Sequence, residues 1–339
     1  MEKRKKKAIK GEIYLGIREI ANIANVSTAT VSRVINHPDR CSKSTRERVE
    51  KIIKEYKYIP NENIKHIFSK SSRTIAIFIY DISNPFYTKL IMQLNELCFN
   101  EHYSLLICVS ENDPEKERAY LELCLAKRCE GIILTEGVHN TLFEHIDIPI
   151  VSLDRYDNTN ISCVTSESYF SMRNMVNYLY NLGHRKIAFI GPEKSLCSTD
   201  KRFNGCLDEL KEKNIYNADY IFRNGSKQNP TLGKIALQYF LSLPEMPTAI
   251  ICSNDMIALG VINEATIMNI PVPESLSVCG FDHVLDEFLH LPLTSIAQNI
   301  PQIALELFHL IIDPPETAQR KIIDVTFFPG KTCSAVNLS

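Results

Sequence analysis

The chain predicts a small all-α helix-turn-helix module followed by a two-lobe α/β module with parallel sheets, and three observations carry that fold class. Charge is unevenly divided: positions 1–60 hold 15 Lys and Arg against 7 Asp and Glu, whereas the other 279 residues hold 23 against 33. A net charge of −2 therefore hides +8 at the front and −10 behind. Apolar residues recur at helical spacing in three short runs between Ile17 and Tyr56. From Thr74 onward, continuous apolar runs alternate with amphipathic ones, the pattern of parallel strands covered on both faces by helices. Concentrated positive charge on a small helical unit is the footprint of a polyanion binder, because each neutralised phosphate releases a counterion.

The first helix follows from Ile17, Ile20, Ala21 and Ala24, which share one face. Asn25-Val26 interrupts it, and either Asn25 or Ser27 can cap the next helix. That second helix, about Thr28 to Asn36, turns Val31, Val34 and Ile35 inward and leaves Thr28, Ala29, Ser32 and Arg33 outward. A third, roughly Ser44 to Tyr56, has Val49, Ile52, Ile53 and Tyr56 as its apolar stripe. In this geometry the second helix enters the major groove by its N-terminal end. Arg33 can present a bidentate fork to guanine, while Thr28 and Ala29 are short and offer methyl groups to thymine. Ser27, Thr30, Ser32 and Asn36 are candidates for phosphate contacts that fix register. Lys3 to Lys7 form a basic arm that suits either a DNA contact or a solubilising tail.

The run Val26-Ser27-Thr28-Ala29-Thr30-Val31-Ser32-Arg33-Val34-Ile35-Asn36, then Ser44-Thr45-Arg46-Glu47-Arg48-Val49 and Tyr58-Ile59-Pro60-Asn61, resembles the LacI/GalR family of bacterial repressors. The resemblance extends in order over nearly the whole chain. It implies a DNA-binding domain over 1–60, with Asn61 added to the DNA-binding set. Residues 61–73 would form a hinge that orders on operator DNA, with Ile67 at the position that wedges into the minor groove. Asn63 and Ile64 depart from the family pattern, in which apolar residues and Ala are usual; a plain linker is the competing reading of 61–73. The resemblance implies a periplasmic-binding-protein-like fold over 74–339, with lobe 1 at about 74–165 and 293–321 and lobe 2 at about 166–292 and 322–339.

Within that module the apolar runs Ile75–Ile79, Leu105–Val109, Gly131–Leu134 and Ile150–Leu153 read as one series of strands. Lys186–Gly191, Thr248–Cys252 and Leu276–Gly280 read as a second. Helices are expected near 86–101, 114–127, 167–182, 202–213, 231–243 and 255–269; Asp113-Pro114-Glu115 is a well-formed helix start. Ligands of open α/β sheets bind outside the carboxyl ends of the strands, so two facing lobes enclose a cleft. Polar and aromatic residues gather at those ends: Asp81 with Phe86 and Tyr87, Asp154, Asn254, Asp282, and Arg202 opening a helix with Gly205 three positions on. Carboxylates, amides and an Arg fork beside aromatic faces suit a polyhydroxylated ligand. Each residue alone could equally be a helix cap. The resemblance implies that Arg202, Asn254, Asp282, Phe86 and Tyr87, with Asp154, contact the effector. Ser226-Lys227-Gln228 stands where relatives often have a stacking aromatic, and the chain has no Trp.

Other function classes are disfavoured. No GxxxxGK, GxGxxG or GxSxG is present, so no phosphate cradle or nucleophile elbow argues for an enzyme, and no catalytic residue or cofactor is assigned. The 11 cysteines fall mostly in apolar segments without a CxxC, as buried hydrophobes do in a reducing compartment. Cys98 and His102, four apart, lack the further ligands of a zinc site. No apolar run approaches bilayer length, and the Lys-rich start lacks the apolar core of a signal peptide; a cytoplasmic location is expected. The reading is a sequence-specific repressor, homodimeric on a pseudo-palindromic double-stranded operator, controlled by a small metabolite of sugar type. A sugar-binding protein or sugar-modifying enzyme carrying an incidental basic module is the alternative.

Overall fold

The computed structural model describes residues 15–56, 58, 72–111, 113–135, 140–143, 146–154, 160–193, 198–225, 228–286 and 288–336. The chain divides into two compact units, Met1–Ser72 and Arg73–Ser339.

The first unit holds helices α1 (Ile17–Ala24), α2 (Thr28–Asn36) and α3 (Lys43–Glu55). Each start is closed by a side chain. The Glu19 carboxylate accepts from Gly16 N–H at 2.8 Å. Ser27 Oγ accepts from Thr30 N–H at 3.1 Å, so Ser27 rather than Asn25 is the cap of α2. Asn25 instead ends α1 in the left-handed region, at φ 52°, a conformation Asn tolerates. Ile20, Ala21, Ala24, Val31, Val34 and Val49 form the core together with Tyr58. The expected stripe fails at Tyr56, which is 42% exposed: α3 stops at Glu55, and the chain beyond it turns Tyr58 inward instead.

The second unit contains two parallel sheets. Lobe 1 has the order β11-β5-β4-β3-β1-β2, built from β1 (Thr74–Ile79), β2 (Ser104–Val109), β3 (Gly131–Leu134), β4 (Ile150–Leu153), β5 (Ser162–Ser166) and β11 (Arg320–Ile323). It carries α4 (Pro85–Asn100), α5 (Pro114–Lys127) and α10 (Ile300–Ile312), with α10 packed on α4. Ile75 to Ile79 are all fully buried, as a strand covered on both faces requires. Lobe 2 has the order β7-β6-β8-β9, from β6 (Ile187–Gly191), β7 (Ile221–Arg223), β8 (Ala249–Cys252) and β9 (Ser277–Cys279). Around it lie α6 (Tyr169–Asn181), α7 (Ser198–Glu212), α8 (Pro230–Leu241) and α9 (Asp255–Ile267).

The chain crosses between lobes three times, and one expected crossing is displaced. The resemblance implies that residues from 293 belong to lobe 1, but Thr294 bridges Cys279 and Ala297 bridges Asp282. Strand β10 (Ser295–Gln298) then pairs antiparallel with β12 (Val325–Phe328). The segment through Gln298 thus extends the lobe 2 sheet, and the chain returns to lobe 1 only with α10. The reason is local: Gly280 N–H and Asp282 N–H donate to the carbonyls of Thr294 and Ile296, which holds 294–298 beside the β9 strand.

Candidate functional site

In the first unit, the N-terminal half of α2 presents the expected surface. Thr28, Ala29 and Arg33 are exposed, Thr30 and Ser32 half-buried. The Ser27 hydroxyl, besides capping, lies 2.9 Å from Thr30 Oγ1, so these two groups are partly committed to the helix start. Among the described residues Arg33 forms no ion pair, whereas Arg46 pairs with Glu50 at 2.8 Å. The side chain of Asn36, and all of Asn61 and Ile67, lie outside the described residues.

In the second unit, the strand ends bring a buried polar network together. Arg202 sits in the second turn of α7, whose place is fixed where Gly205 meets α6: a Cβ there would stand 2.2 Å from the Tyr169 carbonyl oxygen. Arg202 is only 4% exposed. Its Nη1 donates to the Ser253 carbonyl at 2.8 Å and stands 3.5 Å from Asp282 Oδ1. Its guanidinium carbon lies 3.6 Å from the centre of the Phe281 ring, a cation–π stack on a buried face. Arg202 Nε is buried with no hydrogen-bond partner among the described residues. A buried donor in that state is costly and calls for an acceptor.

Asp282 follows β9 in a strained conformation, φ 109°. Its Oδ1 accepts from Gln298 Nε2 at 2.7 Å, and Gln298 Oε1 accepts from the Ser166 hydroxyl of lobe 1. The network therefore spans both lobes at two of the crossings. Asp154, at the end of β4 with φ 62°, accepts from Thr165 Oγ1 at 2.8 Å. Burial raises its carboxyl above the usual range, against the opposing charge of Arg202 and the Thr165 hydrogen bond. Asn254 caps α9, accepting from Ile257 N–H at 2.9 Å, and its Nδ2 donates to the Gln228 carbonyl at 3.3 Å. Beneath lies Asp255, 1% exposed, accepting from Ser295 Oγ at 2.7 Å and from Val284 N–H at 2.8 Å. Burial and the neighbouring Asp282 charge push its carboxyl up to about 8.

Arg202, Asp282, Asp154 and Asn254 thus occupy the buried strand ends, while Asp81 and Phe86 serve local structure. Asp81 closes a turn, accepting from the backbone and hydroxyl of Ser83, each at 2.8 Å. Phe86 belongs to the apolar core at 5% exposure, with the half-buried Tyr87 ring edge-on at 5.4 Å. Asp255, beside Asn254 after the Cys252 strand, is a strand-end polar residue in the sequence; Ser166 and Gln298 carry no such mark. Among the described residues no three ligating side chains gather to hold a metal. The Cys98–His102 pairing dissolves because α4 ends at Asn100 and His102 turns to φ 60°; Cys98 is core, its thiol pushed up to about 11 by burial.

The profile described as "Bacterial regulatory proteins, lacI family" matches residues 16–61, and the "Periplasmic binding protein-like domain" profile matches 176–333. The HTH-type transcriptional repressor CytR of Escherichia coli strain K12 is 32% identical over 322 residues, 91% of this chain and 92% of that protein. The sucrose operon repressor of Pediococcus pentosaceus is 31% identical over 307 residues, 89% of this chain and 93% of the relative. The lac repressor dimer bound to operator and the anti-inducer ONPF superimposes with a TM-score of 0.79 at 24% identity, over 95% of this chain and all of that one. A LacI-type regulator from Alkaliphilus metalliredigens complexed with D-xylulofuranose gives a TM-score of 0.66 at 26% identity, over 77% of this chain and 99% of that one. With relatives this similar along nearly its whole length, the chain belongs to the LacI family of bacterial regulatory proteins and is a transcriptional repressor.

Proposed function

We propose that this repressor acts in the cytoplasm as a homodimer on a pseudo-palindromic double-stranded DNA operator, under control of a sugar or sugar derivative bound between its two lobes. A single helix-turn-helix buries little surface, so two copies of α2 on one dyad, each reading a half-site through Thr28, Ala29 and Arg33, supply affinity and spacing. Ser27, Thr30, Ser32, Asn36 and Asn61 would hold the phosphates, and Ile67 the minor-groove wedge at the centre.

The observation that carries the effector reading is the buried Arg202 Nε donor, unpaired among the described residues and set between Asp282 and Asp154. A vicinal diol offers an acceptor to Nε and donors to the carboxylates, and an apolar sugar face suits the half-buried Tyr87. Asn254 adds an amide at the same rim. Relatives support the ligand class: one is a sucrose operon repressor, and one solved regulator holds D-xylulofuranose. The effector acts through its different affinity for two lobe arrangements, which decides whether the dimer can grip the operator.

A thermal-shift screen of the full chain against pentoses, hexoses, disaccharides, sugar phosphates and nucleosides tests this. A saturating effector should stabilise the second unit by mass action, by about 2.7 kcal/mol at a hundredfold excess over Kd, and so raise its melting midpoint. Silence across the panel, with no preference for any genomic fragment over bulk competitor DNA, would overturn the reading.

A further inference from the structure

The C-terminal segment carries a feature that operator and effector binding do not use. After β12 the chain turns at Gly330 and lies along β9. Val278 N–H donates to the Thr332 carbonyl at 2.9 Å, and Thr332 Oγ1 donates to the Val278 carbonyl at 2.7 Å while accepting from Thr294 N–H at 2.9 Å. Two residues on, Ser334 N–H donates to Ser277 Oγ at 3.2 Å, and the Ser334 carbonyl accepts from the His184 ring at 3.0 Å. The residue between these anchors is Cys333, whose register is thereby fixed on both sides. Its Sγ lies 3.3 Å from Sγ of Cys279, the last residue of β9. The other described cysteines of this lobe, Cys206 and Cys252, are fully buried; Cys333 is half-buried.

We propose that Cys279 and Cys333 form a reversible disulfide under peroxide, a redox-sensitive staple that locks the C-terminal segment onto β9. The two sulfurs divide the chemistry between them. The Cys279 thiol, 3.3 Å away, holds the Cys333 thiol below the ordinary range against burial. Cys279, in the apolar core, is pushed well above the ordinary range by burial. Cys333 is therefore the thiolate that meets the oxidant, and Cys279 the resolving thiol. The Cys333 thiolate attacks one peroxide oxygen, the O–O bond breaks, and the departing hydroxide leaves as water once protonated. The sulfenic acid so formed is attacked by the Cys279 sulfur. The S–O bond breaks, the Cys279 proton leaves with the hydroxyl as a second water, and two thiols have become one disulfide while peroxide is reduced to two waters. Bringing the sulfurs from 3.3 Å to about 2.05 Å moves the end of β9. From Cys279 the chain continues through Gly280 and Phe281 into Asp282, so the staple acts on the residue that carries Arg202 and Gln298.

The test uses the full chain, reduced and freed of reductant, treated with stoichiometric hydrogen peroxide, then alkylated and mapped without reduction. The expected product is one cross-linked peptide pair joining positions 279 and 333, about 2 Da lighter than the two thiol peptides together. The second unit should melt a few degrees higher, an effect reversed by dithiothreitol, because the cross-link restricts the unfolded chain. Cys333→Ser should abolish both effects, and Cys279→Ser should leave a sulfenic acid at Cys333 that dimedone traps. The proposal fails if both thiols stay alkylatable while exposed Met92 becomes oxidised. It fails equally if Cys333 pairs with another cysteine, or if the cross-link forms and the midpoint falls.

Discussion

The two units use polar side chains in opposite ways. On α2 the residues that would read DNA are exposed, and each stands largely alone: Thr28, Ala29 and Arg33 face water. In the lobes the corresponding set is buried and mutually bonded, with Arg202, Asp282, Asn254 and Asp154 between 3% and 6% exposed. Exposed readers can be altered without disturbing the fold that carries them. Buried ones are part of the fold, so that binding and stability there are two aspects of one network.

The sharpest way to break this contrast is to remove the one arginine from each unit that its function rests on. Arg202→Ala leaves Asp282 and Asp154 buried without their cation, and losing one partner of a buried pair typically costs about 3–5 kcal/mol. Urea unfolding followed by tyrosine fluorescence should show that loss in the second unit only. Arg33→Ala should change stability by less than about 0.5 kcal/mol. It should lower specific operator affinity by about 1–3 kcal/mol, roughly 5- to 150-fold, with little change on random DNA. Equal stability losses from the two substitutions would erase the distinction.

The next effect is read through pH, in buried groups of the second unit. Asp255 has a folded-state pKa of about 8, against about 3.9 in an unfolded chain. The folded state thus holds a proton that the unfolded chain releases first. Its contribution to stability is complete below about pH 4 and drains away as pH rises towards 8. Asp255→Asn should flatten this decline, because the amide mimics the protonated carboxyl: Oδ1 can accept from Val284 N–H and Nδ2 can donate to Ser295 Oγ. His184 acts in the opposite window. Buried between Thr248 and the Ser334 carbonyl, it is held below its usual pKa by burial, so its contribution is present above about pH 6.5 and fades as pH falls. Urea midpoints from pH 5.5 to 8.5 decide the matter; an unchanged slope in the Asp255→Asn chain would place the titrating group elsewhere.

The same contrast explains what could be read from the residues. Helices of the first unit follow directly from local spacing and caps, and so do strands such as Ile75–Ile79, where an unbroken apolar run is itself the signal. Strand β5 was not legible because Ser162-Cys163-Val164-Thr165-Ser166 is polar in composition yet wholly buried, its hydroxyls satisfied by distant partners such as Asp154 and Gln298. Gln298 meets Ser166 across 132 residues of chain, and no local pattern encodes such a contact. Asp154, Arg202, Asn254 and Asp282 were visible because strand ends concentrate polar groups. Asp81 and Phe86 follow the same rule, but there the start of α4 needs a closed turn and an apolar anchor. Strands β7 and β11 are short and carry Arg or Lys, too little for hydropathy to mark.

The smallest effect separates two roles at a single residue. Ser27 is both the cap of α2 and a candidate phosphate contact, and its hydroxyl already accepts from Thr30 N–H at 3.1 Å. Ser27→Ala should destabilise the first unit by about 1 kcal/mol, the usual cost of losing such a cap. Amide exchange in α2 should speed up while that of the lobes stays unchanged. Ser27→Asp restores a capping oxygen and adds negative charge at the positive end of the helix, so exchange should return to its original rate or slower. If the same hydroxyl also faces DNA, that carboxylate meets phosphate, and operator affinity should fall most steeply at low salt. A Ser27→Asp chain that kept full operator affinity would confine Ser27 to the helix start and leave register to Thr30 and Ser32.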